Sequence, residues 1–166
     1  MKSIVVGIDG SPHSRKALRR AVAEAAARGC GVEALYVIPP PTRTLSDDLI
    51  GLPYGRAVAS GTISPDAPAH HPPSRSEESF ATAEAALAEF VEEATQDVDG
   101  PTPRLVVVPD AHPAEALVRA SKDAEMLVIG TRGLGGFVGM LLGSVAQQCI
   151  QHAECPMLIL PPKAGR

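Results

Sequence analysis

The sequence predicts an α/β fold, a three-layer sandwich in which a five-stranded parallel sheet carries helices on both faces. Short apolar runs alternate along the chain with segments whose apolar residues recur at helical spacing, as in repeated strand and helix units. The runs are continuously apolar, which is typical of strands covered on both sides. With 166 residues, 45% of them hydrophobic, the chain can bury one sizeable core, so we expect a single domain over residues 1–166.

The first strand, first helix and second strand are bounded by residues that start or stop these elements. Residues 4–8 are a β-branched apolar run, and Ser11 followed by Pro12 is a favourable helix start. Gly29 is expected to end this helix, and residues 33–38 form the second strand. The helix face expected in the core consists of Ala17, Leu18, Ala21, Val22 and Ala25.

Residues 39–73 are rich in Pro, Gly, Ser and His and show no stable periodicity. A stretch of this length without regular structure is uncommon in a compact domain, so we predict a mobile insert that could serve as a lid. A capping box, Ser74-Arg75-Ser76-Glu77, then predicts the start of a second helix. Its apolar stripe, which we expect in the core, consists of Phe80, Ala83, Leu87, Phe90, Val91 and Ala94.

Breakers and apolar runs divide the rest of the chain into three strands and two helices. In chain order these are a strand over residues 104–108, a helix opened by His112 and Pro113, a strand over 125–129, a helix over 145–153 and a strand over 157–160. Ala116, Leu117 and Ala120 are expected to face inward from the first of these helices.

Residues 130–144 join the end of the fourth strand to the start of the last helix and contain six glycines. So many glycines cost backbone entropy, which is reasonable where a ligand must approach the backbone closely. Ser144 fits the N-cap of the last helix, where free amides and the helix dipole attract an anion. Arg132 is the one basic residue in this span. The loop therefore predicts a phosphate-binding cradle.

The glycine spacing separates known kinds of phosphate loop. A Walker A loop is excluded because no lysine occurs in residues 130–144, and residues 7–11 lack the dinucleotide-binding fingerprint. What the sequence contains is Gly130, two residues, Gly133, nine residues, and then Gly143-Ser144. This spacing resembles the nucleotide-binding motif of the universal stress protein family. The resemblance covers nearly the whole chain apart from the insert.

Ligands in open α/β sheets bind at the carboxyl ends of strands where the strand order reverses. Asp9 follows the first strand and Gly130 to Gly133 follow the fourth. If both serve one ligand, these strands are neighbours, and right-handed crossovers give the order 3-2-1-4-5. The resemblance implies the same order.

The resemblance also implies the roles of individual residues. Asp9 and Val37 match the family positions that hold adenine and ribose. The phosphates are expected at Gly130, Arg132, Gly133, Gly143, Ser144 and Val145. The implied ligand is ATP, with AMP or cyclic AMP left open, and Mg²⁺ is expected to bind through the phosphates rather than to a metal site of the protein.

Two functions of different classes follow from these residues. The first is an ATP-binding stress-response or regulatory protein that senses adenine nucleotide and signals through its conformation or a dimer surface. A hydrolase needs a residue that orients water and a second charge for the departing phosphate, and the sequence near the loop offers no such pair, so we expect no catalytic residues and at most slow ATP hydrolysis. The alternative is an adenylating or ATP-hydrolysing enzyme of the adenine-nucleotide α-hydrolase type, to whose loop residues 7–11 bear a partial likeness.

Composition restricts the partners. A net charge of −4, 3% aromatic residues and no Trp argue against nucleic-acid binding, and no apolar run is long enough for a membrane span. Adjacent His70 and His71 are a poor metal site, and Cys149 and Cys155 are expected to be inert thiols in a cytoplasmic protein. The resemblance implies a homodimer formed through the last strand, whose exposed apolar edge would favour pairing.

Overall fold

The structure is a computed structural model that describes residues 2–38, 75–133 and 142–161, without the side chains of 75–80. The described elements belong to the compact unit formed by Met1–Pro40 and Ala83–Arg166, except that the second helix begins in the unit Pro41–Thr82. The predicted insert, the histidine pair within it, Ser74 of the capping box, the Phe80 side chain and residues 134–141 of the glycine loop lie outside the described residues. The single domain and the lid stay predictions.

Five strands and four helices form within the described residues. The strands are β1 (Ile4–Ile8), β2 (Val32–Ile38), β3 (Arg104–Pro109), β4 (Met126–Gly130) and β5 (Met157–Leu160), and the helices are α1 (Pro12–Arg28), α2 (Arg75–Thr95), α3 (Pro113–Ser121) and α4 (Ser144–His152). Each predicted element is confirmed to within one residue at its strand ends.

The strands form one parallel sheet in the order β3-β2-β1-β4-β5, which confirms the predicted topology. In its register, β1 ends at Ile8 opposite Tyr36, while β2 continues alongside β3 to Ile38, which pairs with Pro109. The central strand is therefore shorter at its carboxyl end than β2. This difference leaves an opening at the edge where the sequence places the site.

Helices cover both faces of the sheet, and alternate residues of β1 point to the two cores. Ile4, Val6 and Ile8 pack in a cluster with α1 and α2, whereas Val5 packs in a second cluster with α3 and α4. The predicted stripes supply both clusters, since Leu18 of α1 and Leu117 of α3 are buried. No described helix is both long enough and apolar enough to cross a membrane.

The ends of α1 agree with the sequence analysis. The Ser11 hydroxyl accepts a hydrogen bond from the Ser14 amide at 3.1 Å, so Ser11 is the N-cap as predicted. Gly29 ends the helix in the left-handed conformation, with φ of 66°, which favours glycine.

The predicted N-cap of the last helix was wrong by one residue. Gly143, not Ser144, is the N-cap of α4, with extended φ and ψ of −77° and 162°. The Gly143 carbonyl accepts the hydrogen bond from the Gln147 amide at 3.0 Å, so the helix begins at Ser144. Proximity to the glycine loop allows the cap position to be taken by a residue without a capping side chain. The Ser144 hydroxyl is consequently not used as a cap.

Candidate functional site

A cavity of about 420 Å³ opens at the carboxyl ends of β1, β2 and β4. All eight residues expected to bind nucleotide line it: Asp9, Val37, Gly130, Arg132, Gly133, Gly143, Ser144 and Val145. The fold thus brings together residues that are up to 136 positions apart in the sequence, because the parallel strands all end at this edge. Their role in binding stays a prediction.

The floor of the cavity is apolar and buried. Leu35, Leu117, Ile129 and Ala146 line it, and each is at most 5% exposed. Tyr36 and Val37 of β2 lie at the same edge and are half-buried. A surface of this kind suits a flat apolar ring such as a nucleobase better than a strongly charged group.

The backbone of β2 adds a polar group to this apolar region. The Ile38 carbonyl accepts from the Asp110 amide at 2.9 Å and therefore faces β3. Since successive residues of a strand direct their backbone groups to opposite sides, the Val37 carbonyl faces the β1 side. There, β1 has already ended opposite Tyr36. Val37 can thus present an acceptor at the edge of the cavity.

Asp9 lies where the β1 and β4 loops meet. One oxygen of its carboxylate, Oδ1, accepts a hydrogen bond from the Ser11 amide at 3.0 Å. The other, Oδ2, lies so close to Gly133 that a Cβ atom at residue 133 would collide with it. Glycine at 133 is therefore required by close approach, and the aspartate is in contact with the predicted phosphate loop.

Two backbone hydrogen bonds hold the ends of the glycine loop together. The Thr131 amide donates to the Leu160 carbonyl of β5 at 3.0 Å, and the Gly143 amide donates to the Thr131 carbonyl at 2.7 Å. This neck places the start of α4 against the end of β4. Because the first amides of a helix have no acceptor within it, Ser144, Val145 and Ala146 present donors at the cavity wall.

Two side-chain donors beside this neck have no hydrogen-bond partner in the described part of the chain. They are the Thr131 hydroxyl and Arg132 Nε, and both atoms are buried. Buried polar groups are paired in most folded proteins, so an unpaired group at a cavity wall is a candidate ligand contact. Among the described residues that line the cavity, Asp9 and Arg132 are the two that carry charge.

The turn before α3 is held by Asp110. Its carboxylate accepts from the His112 amide at 2.8 Å and pairs with Arg119 of the helix. The His112 hydrogen bond and the Arg119 guanidinium hold the pKa of Asp110 below its usual range. This pairing fixes the start of α3 and with it Pro113, which lines the cavity.

The sequence analysis missed several lining residues. Leu35, Leu117, Ile129 and Ala146 were expected only in the core, and Ser14, Tyr36, Pro113 and Thr131 were given no role. Thr131 lay inside the recognised glycine motif, so its position was a usable signal. The described residues contain no group of three His, Cys, Asp or Glu arranged to hold a metal ion.

Comparison with known proteins places the chain in a family. The model of the universal stress protein family matches residues 1–161. A universal stress protein of Mycolicibacterium smegmatis is 33% identical over 163 residues, which are 96% of this chain and 46% of that protein. The chain thus spans about half the length of this relative.

Two solved structures have the same fold. A universal stress protein of Archaeoglobus fulgidus in complex with dAMP has a TM-score of 0.59 and 23% identity, with 96% of this chain and 97% of that chain covered. A universal stress protein in complex with cAMP has a TM-score of 0.60 and 24% identity, with 96% and 95% covered. Together with the family model, these matches establish the family. The chain belongs to the universal stress protein family.

Proposed function

We propose that this chain binds an adenine nucleotide in the cavity at the carboxyl ends of β1, β2 and β4, and that the preferred ligand is ATP. The observation that carries the proposal is the division of one cavity into an apolar floor and a donor-rich wall formed by the glycine loop and the start of α4. A nucleotide has the same division, with a flat base at one end and an anionic tail at the other. The dAMP and cAMP bound to the two related structures support this choice of ligand.

The two ends of the ligand follow from the positions of the residues. The base lies against Leu35 and Leu117, and the Val37 carbonyl accepts from the exocyclic amine of adenine. Guanine carries a carbonyl oxygen at the equivalent position, so this acceptor favours adenine. Asp9 binds the ribose between the two ends.

The phosphates lie at Gly130, Arg132, Gly133, Gly143, Ser144 and Val145. Amides and one guanidinium supply donors but too little positive charge for a triphosphate, so Mg²⁺ binds between the phosphate oxygens. This ion is held by the nucleotide and not by a set of protein ligands.

The proposed role is regulatory. The protein is a cytoplasmic stress-response protein that senses ATP and signals through its conformation or a dimer surface, with at most slow hydrolysis. Bound nucleotide changes the population of two conformations only if it contacts them differently. The glycine loop meets this requirement because its neck joins β4, β5 and α4 through the Thr131 backbone.

Calorimetric titration of the purified chain with ATP, AMP, cyclic AMP and GTP, with and without Mg²⁺, tests the proposal. We expect one ATP per chain, tighter binding with Mg²⁺ and weaker binding of GTP. Arg132→Gln should weaken ATP binding roughly tenfold, because a charge-assisted hydrogen bond to phosphate is lost.

Arg28→Gln is the matched control, since Arg28 ends α1 and pairs with Glu24 and Glu125 away from the cavity. Equal ATP affinity in the two variants would remove Arg132 from the site, and no heat or saturation with any nucleotide would overturn the function itself. Release of AMP and pyrophosphate during the titration would instead favour an adenylating enzyme.

We also propose a homodimer formed through β5, which is an edge strand of the sheet. The backbone of Leu160 faces β4, since its carbonyl accepts from Thr131, so the groups of Ile159 face outward by strand alternation. Outward-facing backbone groups on an apolar edge favour pairing with a second strand. Sedimentation velocity at micromolar concentration should show a dimer, and a monomer throughout a concentration series would contradict this part of the proposal.

A further inference from the structure

Thr131 has an unusual combination of paired and unpaired polar groups. The residue is 7% exposed and lines the cavity. Its amide donates to the Leu160 carbonyl and its carbonyl accepts from the Gly143 amide, so both backbone groups are engaged. The hydroxyl alone has no partner among the residues that the structure describes. A threonine held this firmly by its backbone needs no polar side chain to maintain the neck of the loop.

The neighbouring residue shows which chemical group would complete the site. Arg132 Nε is also buried and without a partner in the same described region. A guanidinium nitrogen can donate and cannot accept, so its partner must be an acceptor. A hydroxyl can donate to the same acceptor. Two donors on consecutive residues therefore favour an anionic oxygen over a cation or the donor edge of a base.

We propose that Thr131 is a phosphate-binding residue whose hydroxyl donates to the phosphoryl group that also accepts from Arg132 Nε. The inference rests on the proposed nucleotide site and adds to it a residue on the neck of the loop. Rotation about the Thr131 Cα–Cβ bond turns the hydroxyl toward the cavity that the residue lines. Binding then supplies the partner that the hydroxyl lacks.

Thr131→Val tests this role because valine keeps the shape of the side chain and removes the hydroxyl. We expect ATP and AMP affinities to fall roughly five- to tenfold in calorimetric titrations, whereas adenosine, which has no phosphate, binds the variant and the parent equally. Thr131→Ser should retain most of the ATP affinity. Without nucleotide, Thr131→Val should melt at the same temperature as the parent or higher, since an unpaired buried hydroxyl is removed.

Thr95→Val is the matched control, because the Thr95 hydroxyl already donates to the Val91 carbonyl in α2 and lies outside the cavity. Its ATP affinity should equal that of the parent. If Thr131→Val binds ATP as tightly as the parent, or loses adenosine affinity equally, the hydroxyl does not bind phosphate although the nucleotide site stands. If the parent itself binds neither ATP nor inorganic triphosphate, the proposed function and this inference both fail.

Discussion

Replacement of Gly133 by alanine is expected to weaken ATP binding roughly 50-fold, the largest effect on binding that we predict. A Cβ atom at this position would collide with Asp9 Oδ2, so the loop or the carboxylate must move. The Asp9 side chain is short and its other oxygen accepts from the Ser11 amide, which limits the space it can yield. Either movement disturbs a group proposed to contact the nucleotide.

Gly31→Ala is the matched control for this substitution. A Cβ atom at residue 31 would have its nearest contact at 3.9 Å, the Ser3 Cβ atom, which is an ordinary packing distance. This variant should bind ATP like the parent. Calorimetry measures both affinities, and circular dichroism checks that both variants are folded. Similar ATP affinities in the two alanine variants would show that the Gly133 backbone does not approach the ligand, and the phosphate position would be wrong.

Much of the fold was predictable because local chemistry sets the ends of its elements. Ser11 and Pro12 start α1, Gly29 ends it, and continuous apolar runs mark the strands. Strand order followed from one assumption, that Asp9 and the glycine loop serve the same ligand. Their contact in the structure agrees with that assumption. The last helix start was misplaced because a serine beside a glycine gives no local sign of which residue is the cap.

The eight candidate residues were predicted from a motif and a resemblance, whereas the rest of the cavity depends on packing. Leu117 was recognised as core, but its place beneath the cavity depends on how α3 lies on the sheet. Tyr36 reaches the site because β1 stops opposite it. The unpaired Thr131 hydroxyl and Arg132 Nε can be found only when the surrounding atoms are in place. Local sequence patterns specify none of these relations.

The free energy of unfolding is expected to fall by about 2–3 kcal/mol between pH 9 and 11 because of Cys149 alone. Cys149 is fully buried on α4 among the residues of the second core cluster, with Val5 and Leu127. Burial raises the pKa of its thiol from 9.0 to about 11, since the thiolate is poorly solvated there. In this pH range the unfolded chain loses the thiol proton while the folded chain keeps it. The folded state then binds more protons, so stability decreases as the pH rises.

Urea unfolding of the parent and of Cys149→Ala across this pH range measures the effect. Lysine and tyrosine side chains titrate in both proteins, so the difference between the two curves isolates Cys149. The alanine variant should start less stable, because a small cavity is created, and then lose less stability with rising pH. Cys30→Ala, which removes a partly exposed thiol, should follow the slope of the parent. Parallel curves for the parent and Cys149→Ala would mean that the thiolate is solvated in the folded chain, and the α4 face that seats the phosphate-binding amides would then be less tightly packed than the structure shows.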